Sequence, residues 1–515
     1  MDMPNQWTSS FPYSGSLHRF SIDCGASDPL VDNTANPNPI IPPLSTIIDA
    51  ATTCGLVGLL ESSSNSEAPD LGSPLGTQPT TVPSLPLISS CSPNNTGRQE
   101  NITIRDNDRP EDAVSVIYRD PVLDRTTESN ALPFVLQSYA RWINRLALDP
   151  LKVTSIARDF VFNHFEGGEQ SRWIIGLLAN IGSKVGSTEL VEGQPNPILS
   201  MLQIAVRRRI GGAKLRPNTK RPELVKTLDS VIETMLVHFF VGSVSEAMVL
   251  RQEAAPIFRR LCSEPLDGPI NLPPLLHHPL SCLRHYVHID ILFSVVMDIP
   301  TSFAYETIIP GSQPPNPYRL VPASHGDGII QWLHGTPNEM ILLFAKMKAT
   351  RQDGITPNGE MVTSLEREVC ELPPFDGSSS ERFLSIMRSV VHECWRQAAY
   401  IYLYMAVCGD SSDTPRVKEA FKRYMQLLNS TQPGRLPDEF LILTLQLIYP
   451  AAQRDRDRET IKHRLLRFSI RDRTRIANNF ILFVMNDVWA RATAEERPVV
   501  WSDLTVSRDR LLGAQ

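Results

Sequence analysis

Side chains that can carry out chemistry crowd into one short stretch, ECWRQAAYIYLYMAVCG at residues 393–409. Two cysteines, a tryptophan and three tyrosines are of the types that bind metal ions, act as nucleophiles or stack on ligands. The same stretch also fits a packed helix, because apolar residues recur at the three- and four-residue steps of one helical face. That face comprises Phe383, Ile386, Val390, Cys394, Ala398, Ile401, Met405 and Cys408.

The spacing of the two cysteines decides between these interpretations. At the helical rise, Cys394 and Cys408 stand roughly 21 Å apart, too far to share a metal ion or a disulfide. We therefore predict a central helix over residues 380–408, started by a capping box at Ser378 and Glu381. Both cysteines are expected in its buried core, with the tryptophan and the tyrosines packed against neighbouring helices on other faces.

A second group of residues has the composition of a metal site. The stretch HHPLSCLRHYVHIDIL contains His277, His278, Cys282, His285, His288 and Asp290. In a helix over 280–298, Cys282 and His288 lie roughly 9 Å apart along the axis. Three ligands of one zinc ion must each lie within about 2.3 Å of it, so this helix alone cannot supply them. We expect exposed or hydrogen-bonded histidines, with a two-ligand site completed by another segment as the alternative.

Sequence motifs of common enzyme classes do not support a catalytic site. The patterns GxGxxG, GxxxxGK[ST], HExxH and GxSxG are absent from the sequence. His325 and Asp327 lie near glycines in SHGDGIIQWLHG, where a turn into a helix starting near Gly328 accounts for them. We predict no catalytic residues, no bound metal and no cofactor.

The strongest charge feature is RRRIGGAKLRPNTKR at residues 207–221, which contains no acidic residue. Its basic residues are Arg207, Arg208, Arg209, Lys214, Arg216, Lys220 and Arg221. The glycines and the proline predict a loop between two helices. A basic loop of this kind serves as a nuclear-import signal or contacts phosphate, and the alternative is a solvated loop.

The elements that must position these residues are helices, so the predicted fold class is all-α with a large multi-helix domain. Amphipathic segments dominate from residue 109 onward, and alternating strand patterns are scarce. The predicted helices, besides the central one, span 129–148, 171–185, 197–210, 222–242, 280–298, 328–349, 438–448, 458–468 and 475–491. Pro-rich loops separate them.

Composition divides the chain into two parts. Residues 1–108 are rich in Pro, Ser, Asn, Thr and Gly and are expected to form a disordered leader, while 109–515 form the helical domain. The net charge of −6 gives no overall basic excess that would draw the molecule to nucleic acid or anionic lipid. Neither a secretory signal nor a run of the roughly 20 apolar residues needed to span a membrane is found.

Five segments, in order, resemble a known family. They are SNALPFVLQSYARW (129–142), LRHYVHIDILFSVV (283–296), ECWRQAAYIYLYMAVCG (393–409), PAAQRDRDRETIKHRL (450–465) and NDVWARATAEERPVVWSDL (486–504). The residues that carry the resemblance are Asp290, Trp395, Arg396, Ala398, Tyr402, Leu403, Trp489 and Trp501. The region 109–504 resembles the fungal-specific transcription factor domain, the helical regulatory region of zinc binuclear cluster transcription factors.

The resemblance implies a nuclear transcription regulator that acts through transcription machinery, other regulators or a small effector. The family's DNA-binding module holds two zinc ions on six cysteines within about thirty residues. This chain has only Cys24, Cys54 and Cys91 before its helical region, so we expect DNA contact only if a zinc cluster is supplied from elsewhere. The alternatives are a metal-dependent enzyme using His277 to Asp290, or a DNA-independent helical adaptor.

Overall fold

The computed structural model describes residues 123, 128–186, 196–307, 329–354, 356–373, 378–471 and 476–513, except for the side chains of 128, 329, 467–471, 476–479, 512 and 513. The leader expected over 1–108 and its boundary with the helical domain lie outside these residues and stay predictions. His325 and Asp327 also lie outside them.

The described residues are helical almost throughout, which confirms the all-α prediction. The helices of the first half are α1 Ala131–Leu146, α2 Pro150–Phe165, α3 Glu169–Gly186, α4 Pro197–Leu215, α5 Arg221–Val241, α6 Val244–Leu261, α7 Leu272–Leu276 and α8 Ser281–Val296. A 3-10 turn, Glu128–Asn130, precedes α1. Two short strands, Ile270–Asn271 and Tyr305–Glu306, pair in parallel on either side of α8.

The second half continues as helices. They are α9 Ile329–His334, α10 Asn338–Gln352, α11 Gly359–Cys370, α12 Arg382–Ile401, α13 Pro415–Asn429, α14 Arg435–Asp438, α15 Ile442–Ile448, α16 Asp455–Arg471, α17 Ile476–Ala494 and α18 Ser502–Gly513. A π-helical turn, Tyr402–Val407, extends α12, and 3-10 turns at Glu439–Leu441 and Tyr449–Ala451 flank α15.

Local sequence explains where several helices begin. Proline occupies the first turn of α2, α4 and α13, where its missing N–H costs no hydrogen bond. The Asn196 side chain accepts hydrogen bonds from the backbone N–H groups of Ile198 and Leu199 at the start of α4. Asn358 caps α11 in the same way through Met361. These caps satisfy donors that have no partner inside the helix.

Helix α12 is the central helix, as predicted, but its N-terminal half is rotated relative to the predicted face. Phe383 and Ile386 are 54% and 52% exposed, whereas Leu384, Arg388 and Val391 are buried. The predicted helical spacing of the buried residues was correct, but the predicted buried face was wrong, because Arg388 was not recognised as a residue that faces the core. Its guanidinium lies 4.6 Å from the centre of the Trp332 ring. The arginine thereby reaches the interior through a cation–π contact.

Most of the C-terminal half of the central helix is buried. Cys394 and Ile401 are fully buried, which confirms their predicted positions, while Cys408 is only partly buried. Burial raises the pKa of the Cys394 thiol, so the thiol stays protonated. All five described cysteines are free thiols.

The start of α12 differs from the predicted capping box. Glu381 is the N-cap residue, and its side chain makes no capping hydrogen bond. Instead the backbone N–H and the hydroxyl of Ser380 donate to the carboxylate of Asp149, at 2.7 and 2.6 Å. A residue 231 positions away in the sequence therefore fixes this helix start.

The single helix predicted over 328–349 is broken into α9 and α10. Gly335 adopts a positive φ of 70°, and Pro337 starts the next helix. A Cβ atom at Gly335 would lie 2.9 Å from Cγ1 of Val391, so the position requires glycine for both conformation and space. The break turns Thr336 toward the interior, where it is buried.

Two matched substitutions test the observed rotation of α12. Ile401→Asp places an unpaired charge in the core and is expected to lower the free energy of unfolding by at least about 4 kcal/mol. Ile386→Asp, on the exposed side of the same helix, is expected to change it by less than about 1 kcal/mol. Urea unfolding followed by circular dichroism measures both. Equal destabilisation by the two variants would contradict the rotation.

Candidate functional site

A cavity of about 210 Å³ lies between α5, α8, α15 and α17, with α1, α9 and α12 at its sides. Most of its lining is aliphatic or aromatic. The apolar lining residues are Leu146, Ile232, Leu236, Phe239, Phe240, Val244, Ile289, Leu292, Phe293, Val296, Met297, Ile330, Trp395, Phe440, Ile442, Leu443, Phe480 and Ile481. Concave, mostly apolar cavities with a few polar groups are the usual form of small-molecule sites.

Most polar groups of the cavity gather around the first turns of α8, and a further polar residue, Gln446 on α15, lines it near the other end of α8. His285 and His288 come from α8, His334 from the end of α9, and Thr336 from the break after it. The rings of His285 and His334 lie 5.9 Å apart. The glycine break between α9 and α10 therefore brings two polar residues to the cavity that a continuous helix would carry elsewhere.

The three imidazoles are uncharged near neutral pH. Burial lowers the pKa of His288 to about 3, against the opposing effect of its hydrogen bond to the Arg284 carbonyl. Burial also lowers the pKa of His334 to about 4. For His285, burial and then the nearby His334 and His288 lower the pKa well below its usual value. An imidazole kept from water favours its neutral form.

An ion pair lies beside these histidines. The guanidinium of Arg145, at the end of α1, approaches the Glu439 carboxylate at 2.6 Å, and both side chains line the cavity. Opposite charges at this distance largely cancel. The lining therefore contributes no net charge to the space inside.

The residues of 277–290 that were weighed as an alternative metal site do not assemble into one. In the segments the structure describes, no three His, Cys, Asp or Glu side chains come together in a way that would hold a metal ion. Cys282 is buried with a raised thiol pKa, caused mainly by burial. His278 accepts a hydrogen bond from the backbone N–H of Leu280 at 3.0 Å. Two members of the set, His285 and His288, line the cavity instead.

Asp290 is engaged in the fold. Its buried carboxylate lies 3.1 Å from the Arg251 guanidinium and accepts hydrogen bonds from Ser302 and from the Tyr305 hydroxyl. These contacts attach the short strand after α8 to α6 and α8. The contacts give this conspicuous acidic residue a structural role.

The basic stretch is mostly helical, which corrects the loop predicted over 207–221. Helix α4 continues to Leu215, so only residues 216–220 connect it to α5. Arg209 is 4% exposed and donates to the Glu223 carboxylate, and Arg207 pairs with Glu246. The sequence pattern missed these partners because they lie on other helices.

The remaining basic residues form an exposed group at the end of α4 and the start of α5. They are Arg208, Lys214, Arg216, Lys220 and Arg221, hereafter the basic surface. Arg260 holds the intervening turn by donating to the carbonyls of Ala213 and Pro217, each at 2.8 Å. Arg260 therefore fixes the turn that joins the two helices carrying the basic surface.

A second buried polar cluster lies between α1, α2 and α5. Burial raises the pKa of Asp229 to about 7, and burial with the nearby Asp229 raises the pKa of Glu233 to about 8. Burial lowers the pKa of His164, 3.8 Å from the Asp229 carboxylate, to about 4. Asp229 and Glu233 change charge over a pH range that overlaps that of the cavity histidines and affect stability in the opposite direction, whereas His164 acts in the same direction as those histidines.

The fold and the site together define a class of protein. It is a helical domain with a mainly apolar cavity that has uncharged polar groups at one end. The sequence model of the family described as fungal specific transcription factor domain matches residues 208–512, more than half of the chain. The chain therefore belongs to this family of fungal transcription regulators. No curated protein and no solved structure matches the chain.

The match covers four of the five segments that carry the resemblance, and the segment at 129–142 precedes it. The family is regulatory rather than enzymatic, and it implies a nuclear location. Among the described helices, none is long and apolar enough to cross a membrane. The zinc cluster concerns cysteines outside the described residues, so its absence stays a prediction.

Sequence reasoning missed the cavity. His285 and His288 were singled out, but as a metal cluster, and Thr336 was not noticed. The available signal was the sequence HGTPN at residues 334–338, where glycine and proline together indicate a break in a helical pattern.

The pH dependence of stability tests whether the cavity histidines are neutral. The unfolded pKa of a histidine is about 6.5, so below that pH the unfolded chain binds a proton that folded His288 does not. Stability is then lost as pH falls, by about 1.4 kcal/mol per pH unit for each such histidine. Asp229 and Glu233, with raised folded pKa values, offset part of this loss in the whole protein.

A comparison with His288→Asn isolates one histidine from these opposing groups. Between pH 6.5 and 5.0 the variant is expected to lose about 2 kcal/mol less unfolding free energy than the wild type. Urea unfolding at both pH values measures the difference, and His463→Asn, at an exposed position of α16, provides the matched control. Identical slopes for wild type and His288→Asn would show that His288 is charged in the folded state.

Proposed function

We propose that the helical domain is the regulatory region of a fungal transcription regulator and that a small molecule bound in the cavity is its effector. The observation that carries this proposal is the cavity itself, which is shared by α5, α8, α12, α15 and α17. We propose that the transcription machinery or other regulators bind the domain and respond to the conformational change that effector binding causes.

The size of the cavity makes its occupation energetically significant. Unfilled core volume costs about 24 cal/mol per Å³, so a void of this size corresponds to up to about 5 kcal/mol. A ligand can fill this space only when the helices hold their observed positions. Its binding therefore stabilises this arrangement of the helices relative to other arrangements. A coupling free energy of a few kcal/mol changes the equilibrium constant between two conformations by a factor of several tens or more.

The location of the cavity connects it to both halves of the described domain. Phe239 and Phe293, on α5 and α8, meet at 5.2 Å on one side. Trp395, on the central helix, lines another side and is itself 1% exposed. An occupant therefore contacts helices whose relative positions define the core, which is how a local binding event can alter a distant surface.

A cavity-filling substitution tests the effector proposal in cells. The full chain is fused to a heterologous DNA-binding module that drives a reporter gene, and reporter output is measured together with the abundance of the fusion protein. The growth condition used is one in which the wild-type fusion activates the reporter. Ile289→Trp places an indole at a partly buried position that lines the cavity, and is expected to remove this activation. Ile204→Trp makes the same change at a position 59% exposed on α4 and should keep the response.

The fold of Ile289→Trp needs its own measurement. If the cavity accepts the indole, the thermal midpoint should equal or exceed that of the wild type, since overpacking a filled core costs about 1–3 kcal/mol instead. A folded Ile289→Trp protein that responds like the wild type would refute an effector in this cavity.

We further propose that the basic surface acts in nuclear import. Of the five exposed cations, Arg216 and Lys220 lie on the anchored turn, and the others lie on the two helices that it joins. The ion-paired Arg207 and buried Arg209 are not part of the recognition surface. Clusters of this kind are bound by acidic grooves of import receptors or by phosphate. We therefore assign the proposed import site to these five residues and not to all seven that were considered from the sequence.

Charge-matched substitutions test import. Changing the five residues of the basic surface to Gln is expected to leave a fluorescent fusion mainly in the cytoplasm, because the cationic recognition site is gone. The control changes the same number of exposed basic residues elsewhere to Gln, namely Arg382, Lys418, Lys422, Arg423 and Arg456. Arg209→Gln should lower the thermal midpoint without altering location. Nuclear accumulation of the first variant at the wild-type level would reduce the basic surface to solvated residues.

A further inference from the structure

One face of α8 follows the cavity from its polar end to its apolar end. His285, His288, Ile289, Leu292, Phe293, Val296 and Met297 all line it, at the three- and four-residue steps of a single helical face. The twelve residue steps from His285 to Met297 correspond to roughly 18 Å of helix. The polar residues occupy the first turn of this face, and every later position is apolar.

The volume of the cavity, taken with the length of the α8 face that lines it, indicates that the cavity is narrow. The cavity holds about 210 Å³ over that length, which exceeds the roughly 150 Å³ cavity known to take benzene but is below the roughly 300 Å³ at which drug-sized pockets begin. A long, narrow, apolar space fits an alkyl chain better than a fused ring system. The chain would lie along α8, with one end at the histidines.

Hydrogen bonding at the polar end favours a ligand group that donates. Nδ1 of His288 lies 2.8 Å from the Arg284 carbonyl and must donate to it, which leaves Nε2 of the neutral ring as an acceptor. In the described part of the chain, Nε2 of His285 and the Thr336 hydroxyl have no hydrogen-bonding partner, and Nε2 of His288 has only the Asn338 side chain beside it. The Asn338 side chain, near His288, donates to the Leu276 carbonyl.

The charge balance at the same end favours an uncharged head group. Arg145 is paired with Glu439, and the three imidazoles are neutral, so a carboxylate or an ammonium would be desolvated without a counter-charge. A hydroxyl group meets both requirements, since it donates one hydrogen bond, accepts others and carries no charge.

We propose, building on the proposed function, that the cavity binds an unbranched alkyl chain that ends in a hydroxyl group, with the hydroxyl at His285, His288 and Thr336. This assigns the effector to the class of uncharged long-chain alcohols. Fatty acids of the same length, which share the chain but carry a charged head, are the closest competing class.

Calorimetric titration of the purified full chain with defined probes tests the assignment. For 1-hexanol, 1-heptanol and 1-octanol, affinity is expected to rise about fourfold per added methylene. At equal chain length, 1-octanol should bind at least about fivefold more tightly than 1-methoxyheptane, which lacks the donor, and more tightly than octanoate. Ile289→Trp should abolish 1-octanol binding.

Removal of one polar contact tests the position of the head group. Thr336→Val is expected to weaken 1-octanol binding about fivefold and to leave 1-methoxyheptane binding within about twofold. Its thermal midpoint should not fall, because the hydroxyl that is removed has no partner in the described fold. Thr363→Val, at an exposed position of α11, is the matched control and should change neither affinity.

The possible results separate this inference from the effector proposal. Octanoate or 1-methoxyheptane binding as tightly as 1-octanol would overturn the head-group assignment and leave an apolar effector cavity in place. Binding that survives Ile289→Trp would place the probe elsewhere and overturn the inference. If no probe binds, the alcohol assignment is wrong, and the reporter experiment, which needs no identified ligand, still decides whether the cavity regulates transcription.

Discussion

The packing of four aromatic side chains around the central helix is the interaction on which the rest of the domain depends. Phe344 meets Trp395 and Tyr402 edge to face, at 5.9 and 5.7 Å. Tyr402 meets Trp501 at 5.2 Å in the same geometry. These contacts join α10, α12, the π-helical turn and the segment before α18 into one core. Because Trp395 also lines the cavity, the core and the candidate site share a wall.

Buried ion pairs fix the segments that this core cannot reach. Asp290 pairs with Arg251, and Asp438 pairs with Arg464 at 2.6 Å, with all four side chains almost fully buried. Asp298 joins α8 to α10, and although burial raises its pKa, the nearby Arg351 and Lys348 lower it to about 2. Desolvation offsets much of such a pair's attraction, so each pair specifies position more than it adds stability.

The helix break at Gly335 contributes to the lining of the cavity. It ends α9 at His334 and is followed by the buried Thr336, and both of these residues line the cavity. A well-packed core contains few voids larger than a water molecule. The cavity, at about 210 Å³, is well above that size.

The sequence by itself determined the helical class, the central helix with buried Cys394 and Ile401, and the membership in a regulatory family. It could do so because helical periodicity and family motifs are carried by residues near one another in the chain. Only the tertiary structure decided the phase of α12, the helical partners of Arg207 and Arg209, and the meeting of His285, His334 and Thr336 at one cavity. These depend on contacts between residues tens to hundreds of positions apart, and local spacing contains no record of such contacts.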